Sequence, residues 1–148
     1  MPDKIHLTVA CVIENHGKFL LVNETQEGKH VINQPAGHVE PGEDILSAAY
    51  RETLEETGWK IELCGFIGFS HHYVPSSGIT YYRVSFSAKP LEFDPYAEID
   101  SDIDSAVWMS FAEIEAQRHK LRSPMVLECI ERYLENKIFP LEVFLNRL

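Results

Sequence analysis

Residues 37–58 read GHVEPGEDILSAAYRETLEETG, and the organisation of the chain follows from how this stretch is read. Gly37 to Gly42 is a loop bounded by glycines. From Asp44 onward Ile45, Leu46, Ala49, Tyr50, Thr53 and Leu54 recur at helical spacing up to Thr57, and Gly58 follows as a stop, which predicts a helix over 44–57. At roughly 100° per residue, Glu52, Glu55 and Glu56 share an arc of about 100° beside the apolar arc of Leu46, Ala49 and Thr53. Like charges at these spacings disfavour a helix unless a cation sits among them. Hard carboxylate oxygens suit Mg²⁺ or Mn²⁺, which complete their shells with water and substrate phosphate. A lone E-x-x-E-E is most often a solvated helix face. Here it belongs to the longer pattern G-x₅-E-x₇-R-E-x₂-E-E-x-G, with Glu43 and Arg51 at fixed offsets.

Working outward, Leu7 to Ile13 and Lys18 to Val22 flank an Asn15-His16-Gly17 turn and predict a hairpin. Gln26 to Lys29 is a polar turn, and Val31 to Ala36 an extended stretch leading into the glycine loop. Trp59 to Val74 and Thr80 to Lys89 predict two longer strands around Pro75-Ser76-Ser77-Gly78, and Ala106 to Met109 a short one. Ser110 to Glu113 has the S-x-x-E form that starts a helix. A third helix is expected after Ser123 and Pro124, with Val126, Ile130, Tyr133 and Leu134 on one face. Strands interleaved with three helices give an α/β chain whose mixed sheet is covered on both faces.

The chain has 148 residues, which sets the expectation of one domain over 1–148 that buries roughly 70% of its unfolded surface. Its composition, 45% hydrophobic and 24% charged, excludes disorder and fibrous repeats. Thirteen Lys+Arg against 23 Asp+Glu give 13 − 23 = −10, the wrong sign for a nucleic acid polymer or an anionic membrane as partner. A polyanionic substrate then requires metal. The longest mostly apolar run is far short of a membrane span, and the N-terminus lacks a signal-peptide pattern, so a cytoplasmic location is expected. Cys11, Cys64 and Cys129 sit among apolar neighbours outside any C-x-x-C and are expected to be reduced packing residues.

The segment 37–58 resembles the Nudix box, the signature of hydrolases that cleave nucleoside diphosphates linked to another moiety, and related pyrophosphates. The resemblance implies an α/β/α sandwich in which Glu52, Glu55 and Glu56 coordinate divalent metal together with the carbonyl of Ala36, while Glu43 and Arg51 brace the loop against the helix. Two box positions usually filled by aliphatic residues are Thr53 and Trp59 here, both on the packing side. Residues 6–12, 17–20, 33–38, 101–104 and 121–124, Trp108 and residues 140–142 extend the resemblance to a phosphatase branch of the family. That branch implies Mg²⁺-dependent release of orthophosphate from small nucleoside di- and triphosphates, thiamine pyrophosphate and its hydroxymethylpyrimidine precursor; separately, a monomer or homodimer is expected. The alternatives are an ADP-ribose or dinucleotide pyrophosphatase, a diphosphate isomerase, and a non-catalytic ligand sensor, the last normally lacking one of the metal-binding acids.

The general base is either Glu52 or an acid of the loop 98–104, with Glu98 and Asp102 as candidates. Arg83 and Arg122 are candidates for phosphate contacts, and Gln34 or the aromatic pair Tyr81/Tyr82 for contacts to the organic group. His38 is expected to hydrogen-bond the loop backbone. The apolar run 138–145 is expected to dock on the chain's own core.

Overall fold

The computed structural model describes residues 2–145. Seven strands, β1 (Ile5–Asn15), β2 (Lys18–Gln26), β3 (Lys29–Asn33), β4 (Ala36–His38), β5 (Trp59–Val74), β6 (Ile79–Phe93) and β7 (Ile103–Ser110), form one mixed sheet. Its spine runs β3-β2-β1-β6-β5, with β4 paired to β1 and β7 to β2. β1 and β6 are parallel from Ile5–Thr80 to Ile13–Ala88, whereas β5 and β6 form a long antiparallel ribbon. The helices are α1 (Ile45–Thr57), α2 (Phe111–Ala116) and α3 (Met125–Leu134).

The expected hairpin holds only at its turn. β1 and β2 pair through Glu14–Phe19 and Asn15–Lys18 alone. Beyond that point β1 takes β4 and β6 as partners and β2 takes β3 and β7, so the two strands splay apart. The unbroken buried run Val9–Ile13 explains why: both faces of β1 are covered, and no solvent face exists to impose strict alternation.

On one face, Val9, Cys11, Ile13, Val84 and Phe86 pack against Leu46, Ala48 and Ala49 of α1. On the other, Val12, Leu21 and Ile67 pack against Ile114 of α2 and Val126 and Ile130 of α3. The three-layer expectation is met. α1 begins where the Asp44 carboxylate accepts the Ser47 N–H at 3.0 Å, and ends where Gly58, at φ 78°, donates to the Leu54 carbonyl at 2.9 Å. Thr53 is buried with its hydroxyl donating to the Ala49 carbonyl at 2.8 Å, and Trp59 packs edge-on against Trp108. Both departures from the box are thus absorbed by the core. The capping box Ser110/Glu113 starts α2.

Two packing expectations are corrected. Leu134 is 53% exposed because α3 ends there and turns its last residue outward. Cys64 is exposed, unlike Cys11 and Cys129, because it takes an outward position in the alternation of β5 between buried Leu63 and Gly65. The C-terminal segment docks as expected: Phe139 and Phe66 exchange two backbone hydrogen bonds of 2.8 Å, while Leu141 and Phe144 pack on the α1-side core. Docking requires Gly65, where an added Cβ would stand 2.3 Å from Ile138. No helix among the described residues is long and apolar enough to cross a membrane.

Candidate active site

The first turns of α1 bury apolar side chains, and its last turns carry the acids toward β4. Glu56 is only 7% exposed, and its Oε1 accepts the Ala36 N–H at 2.9 Å, which ties the carboxylate to the strand preceding the glycine loop. Glu52 lies directly over Gly37: an added Cβ there would stand 2.1 Å from its carboxylate carbon. Any other residue at 37 displaces Glu52. Carboxylate oxygens of Glu52, Glu56 and Asp100 lie within 4.8 Å of one another.

Asp100 comes from the loop whose acids the sequence singled out, but Glu98 and Asp102 do not join the cluster. The loop is anchored by the Asp100 N–H donating to the Glu55 carbonyl at 2.9 Å, which draws this residue, and not its acidic neighbours, toward α1. Glu55 itself stands aside: its carboxylate accepts Arg51 Nη1 at 3.0 and 3.3 Å. The structure therefore groups Glu52 and Glu56 with Asp100, and Glu55 with Arg51.

Arg51 is the hub of a second network, which meets the acid cluster at Glu52. Its Nε and Nη2 donate to the two Glu43 oxygens at 2.7 and 2.9 Å, Nη2 also to the His38 carbonyl at 2.9 Å, and Nη1 to Glu52 Oε1 at 2.9 Å. This is the brace that the resemblance implied, with a bidentate geometry that fixes the loop on the helix. The Arg51 guanidinium holds the Glu43 carboxyl down to about 2, and the carboxylates push the Arg51 pKa upward.

The acid cluster behaves in the opposite way. Burial pushes Glu56 up to about 8 against the pull of the Ala36 N–H, and the charges of Glu24, Glu52 and Asp100 add to the rise. Burial also raises Glu52 and Asp100, each further raised by carboxylate neighbours. Three oxygen donors, mutually repulsive and with no side-chain cation of their own except Arg51 at Glu52, fit a hard divalent ion.

The substrate candidates lie on the α3 face of β1 and β6, or close to it. Gln34, 1% exposed, accepts Arg83 Nη2 at 2.8 Å through its Oε1. Tyr81 packs edge-on against His6 and His38. His38 pairs with His6 through ring nitrogens 2.9 Å apart instead of bonding the loop backbone, and burial lowers its pKa. Tyr82 faces the other way and stacks on Phe69. Arg122 is paired with the buried Glu24 at 2.9 Å. Sequence reasoning did not find Glu24 or Asp100 individually; Glu24 lies in the polar end of β2, Asn23-Glu24-Thr25-Gln26, where no local signal marks it as buried.

Residues 4–129 match the NUDIX domain. Over 140 residues the chain is 42% identical to "Phosphatase NudJ" of Escherichia coli (strain K12) and to that of Shigella flexneri, covering 95% of this chain and 90% of either relative. Among solved structures, a "NUDIX hydrolase from Nitrosomonas europaea" superposes with a TM-score of 0.92 at 43% identity, covering 97% of this chain and 98% of that one. These likenesses span the sheet, the glycine loop and the acids of α1, and they set the ligand-sensor alternative aside. The chain belongs to the NUDIX domain family and is a Nudix hydrolase.

Proposed function

We propose that this enzyme hydrolyses the phosphoric anhydride bond of small nucleoside di- and triphosphates and of related diphosphates, among them thiamine pyrophosphate and its hydroxymethylpyrimidine precursor, with release of orthophosphate. The observation that carries the reading is the convergence of Glu52, Glu56 and Asp100 beside the braced loop, in a chain otherwise repulsive to phosphate. Glu52, Glu55, Glu56 and the Ala36 carbonyl are the proposed holders of Mg²⁺, for which Mn²⁺ substitutes, and Asp100 stands within reach of Glu52 and Glu56. The bound ion supplies charge neutralisation at the phosphoryl oxygens and an acidified water.

The chain's own residues do the rest. Arg51 donates to Glu52 Oε1 and holds the whole carboxylate over Gly37, where Glu52 is positioned to take the proton of the attacking water. The Ala36 N–H fixes Glu56, and the brace through Glu43 keeps loop and helix in one register while charge develops. Attack on a terminal phosphorus is supported by the likeness to a phosphatase.

A phosphate-release screen over nucleotides, thiamine pyrophosphate, its pyrimidine precursor and ADP-ribose tests this reading, run in ¹⁸O water. Label is expected in orthophosphate. Pyrophosphate as the main product from a triphosphate, or ADP-ribose as the best substrate by kcat/KM, would place the chemistry elsewhere in the family.

A further inference from the structure

Arg83 is set apart from the other basic side chains of the site. Arg51 is neutralised by Glu43, Glu52 and Glu55, and Arg122 by Glu24, but no carboxylate among the described residues forms an ion pair with Arg83. Its one hydrogen bond goes to a neutral amide, Gln34 Oε1, and its Nε is buried without a partner. Burial pushes its pKa down, and the charges of Arg122 and Glu56 are felt at the guanidinium. Arg83 is half-buried, and a cation largely withdrawn from water without a counter-charge is costly, as are donors left unpaired.

Gln34 compounds this. Because Oε1 is committed to Arg83, the amide cannot present its carbonyl elsewhere, and its Nε2, also buried, has no acceptor. The pair thus offers only donors and one positive charge. Gln34 stands two residues before Ala36, whose N–H holds Glu56, and the Glu56 charge is felt at Arg83, so the donor set lies on the substrate side of the chain segment that fixes the acid cluster. What fits it is a compact anion with several acceptor oxygens, and guanidinium and phosphoryl groups are matched in both charge and geometry.

We propose that Arg83 and Gln34 form the subsite for the substrate phosphoryl group that lies away from the carboxylate cluster, with Arg83 orienting the Gln34 amide. The inference rests on the anhydride-hydrolase reading above, and it moves Gln34 from the organic group to the phosphates. The two arginines near the site then have different parts: Arg83 takes the anion, while Arg122 remains occupied by Glu24.

The test is the affinity of methylenediphosphonate, a non-hydrolysable diphosphate, titrated calorimetrically into the protein in Mg²⁺. Gln34→Glu places a carboxylate where Oε1 now accepts from Arg83, which satisfies the guanidinium internally and occupies the anion site. Its affinity for the diphosphonate is expected to fall roughly 10- to 100-fold, the scale of a charge-assisted hydrogen bond, with Mg²⁺ affinity unchanged. A purely structural role would leave the diphosphonate affinity intact, and equal affinities in wild type and variant overturn the proposal. Should Gln34→Glu not fold, Arg83→Gln removes the charge and is judged by the same criterion. Wild type that turns over no diphosphate in Mg²⁺ would instead refute the anhydride-hydrolase reading, whatever the variants do.

Discussion

Two carboxylate groups meet α1, and they are held in opposite ways. On the loop side, Glu43 is clasped by both arms of the Arg51 guanidinium and driven to about 2. Toward β4, Glu52, Glu56 and Asp100 crowd together, and Glu56 rises to about 8. The residue types are the same, so the difference lies entirely in partners and burial. The first region is finished within the folded chain. The second becomes comfortable only when a cation enters, and so it is the region that stability sacrifices to function.

The sharpest way to test that contrast is to remove divalent ions. Turnover in excess chelator is expected to fall to background and to return with Mg²⁺ or Mn²⁺, while the same ions raise the melting temperature by binding the native cluster. Activity retained in chelator would erase the distinction between the two regions. Next in size is Glu56→Gln, expected to lower kcat roughly 10²-fold or more and, in chelator at neutral pH, to melt higher than wild type because folding no longer has to protonate a buried carboxyl. Wild-type turnover at saturating Mg²⁺ would take Glu56 out of the site.

Arg51→Ala attacks the finished region. It strips Glu43, Glu52 and Glu55 of their shared partner and is expected to cost about 2 kcal/mol, after discounting for the partial exposure of these side chains, as read from urea unfolding. A loss below about 0.5 kcal/mol would reduce the brace to a surface ion pair.

The last test is pH dependence, where the two regions oppose each other and partly cancel. Glu43, lowered from 4.5 to about 2, contributes stability that is present above pH 4.5 and lost as the pH falls toward 2. Glu56, raised from 4.5 to about 8, binds its proton more tightly folded than unfolded, so in chelator its contribution is present below pH 4.5 and declines as the pH rises to about 8. Metal-free melting temperature should therefore decline between pH 5 and 8, and the decline should shrink in Glu56→Gln. An unchanged slope in that variant would assign the decline to other groups.

Much of the finished region could be read from sequence, because it is local. Glu43 and Arg51 are eight positions apart, the caps Asp44 and Gly58 bound the helix they cap, and the Ser110–Glu113 box spans one turn. Distance in sequence marks what was missed. Asp100 is one of several acids in its loop, and only a backbone hydrogen bond to Glu55 selects it. Gln34 and Arg83 are 49 positions apart, and neither residue type announces the other. Likewise the splaying of β1 from β2 is decided by β6 and β7, strands whose claims on them no turn signal near residue 16 expresses.

The docking of Phe139 against Phe66 also bears on how this protein behaves in the test tube. β5 is an outer strand of the sheet, and the C-terminal segment occupies part of the main-chain ladder that another molecule would otherwise use. A chain truncated after Glu135 keeps every acid of α1 and both residues of the Gln34–Arg83 pair, yet leaves that ladder vacant, with Phe66 and Phe86 stripped of the aromatic neighbour Phe144. Its failure should first be seen as concentration-dependent clumping during purification, in material that still turns over substrate when dilute.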